Sequence, residues 1–304
     1  MDISLAIWVW VTILAAVSQS FRTAQQKNLK PRLGDFGASY VRFSYAMPFA
    51  WIGLVSYIFF SKTAFPTFNT SFSFWVSTAA ILQIIFTVLL IKLFSHRSFA
   101  AGTAFSKTEV IQVAVFEAFI IGTIVSFQTG SAIILGFCAI ILLSIAKGQV
   151  TFSNLIKSLF SIQAGLGLAS GGFLALCSVC FRAATDSLSG DDLIVKAGTT
   201  LAISLLIQTI LMGLWMQWAA KSEFVFTFRE WRGSIVVGFF GALTSFCWFY
   251  AFSANAVAPV RAIGQIELIL ALLISMLFFK ERPTWKELIA IFLLVLSIVL
   301  VLLD

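Results

Sequence analysis

Apolar runs of about 18 to 25 residues recur along the whole chain with only short polar breaks between them, and that is the length a helix needs to cross a hydrocarbon core of roughly 30 Å. No interval between the runs is long enough to hold a soluble domain. The runs place ten spans near residues 4–26, 36–60, 72–95, 100–121, 129–146, 162–185, 195–219, 233–253, 258–279 and 286–303. They are too long and too evenly apolar to alternate lipid-facing and lumen-facing residues, which argues against a β-barrel. The expected fold class is an all-α membrane protein of ten transmembrane helices.

Charge supports the same class. Only 11% of residues are charged, against roughly 25% in a soluble domain. A net charge of +7 would suggest nucleic acid for a soluble protein, but most Lys and Arg fall in short loops, where they orient a membrane protein. The partners to expect are the lipid bilayer and a small-molecule substrate, not nucleic acid, with the protein acting as a monomer or a homodimer. The first span follows only Met1-Asp2-Ile3 without a basic leader, so it reads as a retained helix, and nothing at the C-terminus suggests a lipid anchor. Asn69-Thr70-Ser71 matches a glycosylation sequon and says little about the host.

The missing chemistry is equally informative. There is one His (His96), no HExxH, no P-loop and no aspartate-rich helix, which disfavours an ATP-driven pump or a metal-dependent membrane hydrolase. Cys177 and Cys180 form a CxxC inside an apolar run with no second pair, and packing explains them better than redox or metal chemistry. The expectation is a non-enzyme with no cofactor or metal; an enzyme using an intramembrane Ser with a distant base stays open.

Sliding the sequence by 158 positions lays residues 94–110 over 252–268 without a gap, so that Phe94 meets Phe252, Ala100 meets Ala258 and Glu109 meets Glu267. A shift of 160 brings Ser18, Phe21, Arg22 and Ala24 over Ser178, Phe181, Arg182 and Ala184. The chain reads as two five-helix units, residues 1–150 and 161–304, joined near 147–161. An odd number of helices sends the second copy into the membrane from the opposite side. Loop charges agree: residues 122–128 carry no Lys or Arg, while the equivalent 280–287 carries Lys280, Arg282 and Lys286. Two inverted five-helix repeats are an architecture of secondary transporters.

Charged residues within the spans are costly, about 2.5 to 3.5 kcal/mol each on insertion scales, and are functional candidates for that reason. Here they come in related sets: Glu109 with Glu267 in the fourth spans of the two units, and Arg22 with Arg182 in the first. Lys107, Arg42, Glu117 and Arg261 complete them. Arg182 and Asp186 share a helix face, as do Arg261 and Gln265, and Gln19, Arg22 and Gln26 line up at helical spacing. Lys107 and Glu109, two apart, do not, so the glutamates must find partners on other helices. The candidate substrate-binding set is Glu109, Glu267, Arg22, Arg182, Lys107, Arg261 and Gln265. Static ion pairing or snorkelling suffices for Arg42, Glu117 and Lys92. Because cations outnumber carboxylates, a cavity lined by this set favours zwitterions or organic anions, and a buried carboxylate in it could exchange protons.

Ten spans, two repeats and the segment FFKERPTWKELIAIFLLVLSIVLV (278–301) resemble the drug/metabolite transporter superfamily, specifically its EamA-like family. That family's ninth helix typically carries Glu-Pro and ends in Gly-Glu; here Glu267-Leu268 and Lys280-Glu281 stand at those places. QQKNLKPRLGDFGASYVRFSYAMPFA (25–50) resembles the region joining the first two helices in bacterial members. The resemblance implies a bacterial inner-membrane carrier, often an exporter of amino acids or other metabolites, working by alternating access around a central cavity. It also implies cytoplasmic termini. The loop charges point the other way, with Lys27, Lys30, Arg32, Arg97, Lys147, Lys157, Lys221, Arg229, Arg232, Lys280, Arg282 and Lys286 on the side of the first loop and only Lys62 and Lys196 opposite. An importer of a vitamin or larger anion, and a lipid flippase or lipid-modifying enzyme, are the alternatives.

Overall fold

A computed structural model of the chain describes residues 3–93, 106–146, 162–270, 273 and 284–304. The repeat junction at 147–161, residues 94–105 of the repeat alignment, His96, Arg97, Lys147, Lys157, and Lys280-Glu281 with Arg282 lie outside them. The helices that lie wholly within the described residues are α1 (Ile3–Ser44), α2 (Ala46–Ser61), α3 (Thr70–Leu93), α4 (Glu109–Ile120), α5 (Phe127–Ala146), α6 (Ile162–Asp186), α7 (Leu193–Ala219), α8 (Lys221–Arg229), α9 (Trp231–Ala254), α10 (Val257–Gly264) and α11 (Trp285–Leu302). Among the described residues, seven helical stretches are long and apolar enough to cross a membrane.

The chain divides into two compact units, each drawing on both halves of the sequence. Unit 1 comprises Met1–Ile91 and Cys180–Asn255, and unit 2 comprises Lys92–Val179 and Ala256–Asp304. In unit 1, α1 packs along α9, and α2 packs on α7 and α9. In unit 2, α5 lies against α11 and α4 against α10.

The polar stretch expected to be a loop between the first two spans is almost wholly helical. α1 runs on through Pro31 and is interrupted only at Gly34 (φ 73°, ψ −177°), a left-handed conformation that favours glycine. The chain reverses there, since Gln26 Nε2 donates to Ala38 O at 2.9 Å. Glu223 of α8 makes the turn possible. Its Oε2 accepts from Phe36 N at 2.8 Å and Gly37 N at 2.9 Å, capping the second arm as a local N-cap residue would. A side chain at position 34 would collide with it, because a Cβ there would lie 2.3 Å from Glu223 Cδ.

Other ends are closed from within the sequence. Asn69 of the sequon caps α3, its Oδ1 accepting from Phe72 N at 2.7 Å, while its Nδ2 donates to Ser187 O at 2.6 Å. Thr284 and Glu287 form a reciprocal capping box at the start of α11. Close packing relies on glycine where two helices touch. A Cβ at Gly238 would lie 2.4 Å from Tyr45 O, and one at Gly136 would lie 2.6 Å from Ser297 Oγ.

Candidate functional site

Two helices that the sequence predicts as unbroken spans are interrupted, and at equivalent places. In the fourth span residue 106 is helical, Lys107 and Thr108 form a turn, and α4 starts at Glu109. Thr108 O accepts from both Ile111 N and Gln112 N, each at 3.1 Å. In the ninth span α10 stops at Gly264, Gln265 turns, and helix resumes over 266–270. Gln265 N reaches back three residues to Ala262 O (3.2 Å), and Leu268 N to Gln265 O (3.0 Å). The 158-residue shift superimposes Lys107 on Gln265 and Glu109 on Glu267. Neither turn contains Gly or Pro, so local signals gave no warning of them.

Glycine on α6 lets that helix approach the first break. A Cβ at Gly171 would stand 2.6 Å from Ser106 O and 3.3 Å from Glu109 N, and one at Gly172 would stand 2.8 Å from Gln112 Oε1. The break is thereby packed against a smooth helix face, with its backbone in close contact.

The charges at the breaks are paired reciprocally between the two halves of the sequence. Lys107 of the first half donates to the carboxylate of Glu267 in the second. Arg261 of the second half faces Glu109 of the first, Nη1 to Oε1 at 4.0 Å. Arg261 also donates through Nη2 to Ser178 Oγ at 2.6 Å, and Gln265 Nε2 donates to Arg261 O at 3.3 Å. Five of the seven predicted site residues, Lys107, Glu109, Arg261, Gln265 and Glu267, thus lie in unit 2. Glu109 and Arg261 are almost fully buried, whereas Lys107 and Glu267 keep a little under a fifth of their side-chain surface exposed.

The other two belong to unit 1. Arg22 is buried on α1, where its neighbour Gln19 accepts from Trp248 Nε1 at 3.1 Å. Arg182 donates to Asn255 O and pairs with Asp186 at 3.4 Å, the i, i+4 contact expected from spacing. Arg42 is held by packing: Nη1 donates to Thr87 Oγ1 at 3.0 Å, with Phe43 and Phe86 rings 5.7 and 5.9 Å from its guanidinium carbon. A cavity of about 520 Å³ in unit 1 is lined by apolar groups such as Phe49, Leu54, Gly198 and Phe246, with Tyr57 at its wall, and contains none of the predicted site residues.

Glu117, read from sequence as an end residue or a static ion pair, has a different task. It is fully buried, and its two oxygens accept from Val257 N (2.7 Å) and Ala258 N (3.0 Å). These are the free N–H groups at the start of α10, where negative charge is favoured. The sequence signal was available in part: an expensive carboxylate in one span, and an uncapped Ala256 before Pro259 in another.

Residues 166–303 match the model of the EamA-like transporter family. This stretch, a little under half of the chain, is similar to a family of membrane transporters, and the long apolar helices are those of a multi-pass membrane protein. No curated protein sequence matches it. Among solved structures, one titled only as a crystal structure of a protein shares the fold, with a TM-score of 0.69 at 14% identity, covering 99% of this chain and 96% of its own.

Proposed function

We propose that the chain is a secondary active transporter that exports small polar metabolites, amino-acid-like zwitterions or organic anions, across the bacterial inner membrane by alternating access. In this reading the chain crosses the membrane ten times as two inverted five-helix repeats, and Lys107, Glu109, Arg261, Gln265 and Glu267 contact the substrate. One observation carries it: two equivalent helix breaks, each followed by a glutamate, whose charges pair between the sequence halves. Broken helices at a repeat interface are where such carriers place substrate and coupling-ion sites, because the interrupted backbone and the charges beside it can be re-paired with a ligand. A purely structural ion-pair network would have no need of the two interruptions.

The test is uptake of labelled amino acids, organic anions and vitamins into proteoliposomes, with and without an imposed pH gradient, and into vesicles of both orientations. Saturable transport of one chemical class, lost in Lys107→Met, supports the reading. Movement of labelled lipid between leaflets with no solute uptake would replace it with a flippase.

A further inference from the structure

The two glutamates at the breaks are not equally served. Glu267 holds a direct ion pair with Lys107. Glu109 does not: its nearest guanidinium nitrogen is 4.0 Å away, outside hydrogen-bond range, because Arg261 gives its short bond to Ser178. Glu109 Oε2 is buried without a hydrogen-bond partner among the described residues. The amide of Gln265 reaches Glu109 as well, but Nε2 makes its well-aligned bond to Arg261 O, and Oε1 is a second buried acceptor with no donor among the described residues. Among those residues, Glu109 Oε2 has no donor of its own. A buried carboxylate oxygen in that position is costly, and the cost falls when the group takes up a proton.

Among the described residues, the charged groups facing Glu109 are Lys107 in its own turn, Arg261 on α10 and Glu267 just beyond Gln265. The unit 2 part of α6 contributes Ser170 and Ser178 but no charge, and Glu117, two turns further along α4, is committed to the start of α10. Two cations and two carboxylates sum to zero while Glu109 is ionised, and to one positive charge once it is protonated. A substrate bearing one carboxylate or phosphate therefore binds the protonated site more tightly, and by reciprocity its binding raises the proton affinity of Glu109.

We propose that Glu109, and not Glu267, is the proton-carrying group of this site, and that its proton travels in the same direction as an anionic substrate. The proposal rests on the transport reading above for its second half only. Infrared difference spectra of the full-length reconstituted protein, recorded as pH is cycled, test the first half directly through the carbonyl stretch of a protonated carboxylic acid. One such band is expected, lost in Glu109→Gln, displaced in Glu109→Asp and retained in Glu267→Gln. A wild type without the band, or a band removed by Glu267→Gln in place of Glu109→Gln, overturns the assignment. If the Gln variant does not reconstitute, an undisplaced band in Glu109→Asp has the same force. The second half is tested with labelled succinate, benzoate and inorganic phosphate in proteoliposomes, with labelled lysine as the cationic control. Acceleration of anion uptake by an acid exterior supports it. Lysine exchanging against protons, or no uptake of any compound, overturns the anion assignment, and the infrared result still decides Glu109.

Discussion

A single buried charge in a membrane protein has few ways to be tolerated, and Lys107, Glu267 and Glu117 illustrate two of them. Lys107 and Glu267 neutralise one another, so removing one leaves the other charge buried and uncompensated. Lys107→Met or Glu267→Gln alone should destabilise the protein by about 2–4 kcal/mol, and the double variant by clearly less than the sum. Thermal unfolding in detergent of all four proteins closes the cycle; strict additivity would mean that the pair contributes nothing. Glu117 is tolerated by donating its charge to a helix start. Glu117→Ala strands two buried N–H groups and should cost about 2–4 kcal/mol, whereas Glu117→Gln, keeping one acceptor oxygen, should cost less; the same unfolding assay ranks them.

At the scale of elements, the breaks depend on how closely α6 can approach. Gly171→Ala places a methyl 2.6 Å from Ser106 O and should cost about 1–3 kcal/mol through forced backbone movement. Gly165→Ala, which meets nothing within 4 Å, should be neutral or slightly stabilising. Equal unfolding temperatures for the two variants would refute the packing account. α5 and α11 are tied at one end by Asp304, which accepts from Thr129 Oγ1 at 2.6 Å and from Ser126 Oγ at 2.5 Å. These bonds hold its carboxyl below the ordinary range for aspartate. Because the folded value is the lower one, the tie is fully present above the carboxyl's unfolded pKa and is lost as pH falls through the folded value. Hydrogen exchange at Phe127–Gly130 should therefore quicken selectively in that acid window, and Asp304→Asn should remove the effect.

For the molecule as a whole, the decisive feature is that each compact unit is built from both halves of the chain. Unit 1 joins α1–α3 to α7–α9, and unit 2 joins α4 and α5 to α10 and α11. Neither half contains a complete core. Residues 1–150 and 161–304 expressed separately should fail to give a monodisperse protein, and their coexpression should restore one, as size-exclusion chromatography of the tagged halves can check. A half that is stable alone would show that the packing between halves is dispensable.

Hydropathy along the chain was enough to determine the all-helical membrane class, because crossing hydrocarbon requires long apolar runs that satisfy their own backbone. It also located Glu109, Glu267, Lys107 and Arg261, since intramembrane charge stands out against an apolar background. Sequence could not show that Lys107 pairs with Glu267 across 160 positions, that Glu117 caps α10, or that Glu223 holds the turn at Gly34. Each of these joins groups far apart in the chain, and helical periodicity reports only which residues share a face of the same helix. The interruptions at Lys107-Thr108 and Gln265 were hidden for the same reason. No residue there forbids a helix; what stabilises the turns is the packing of Gly171 and the charges that meet beside them, and only the tertiary structure brings those together.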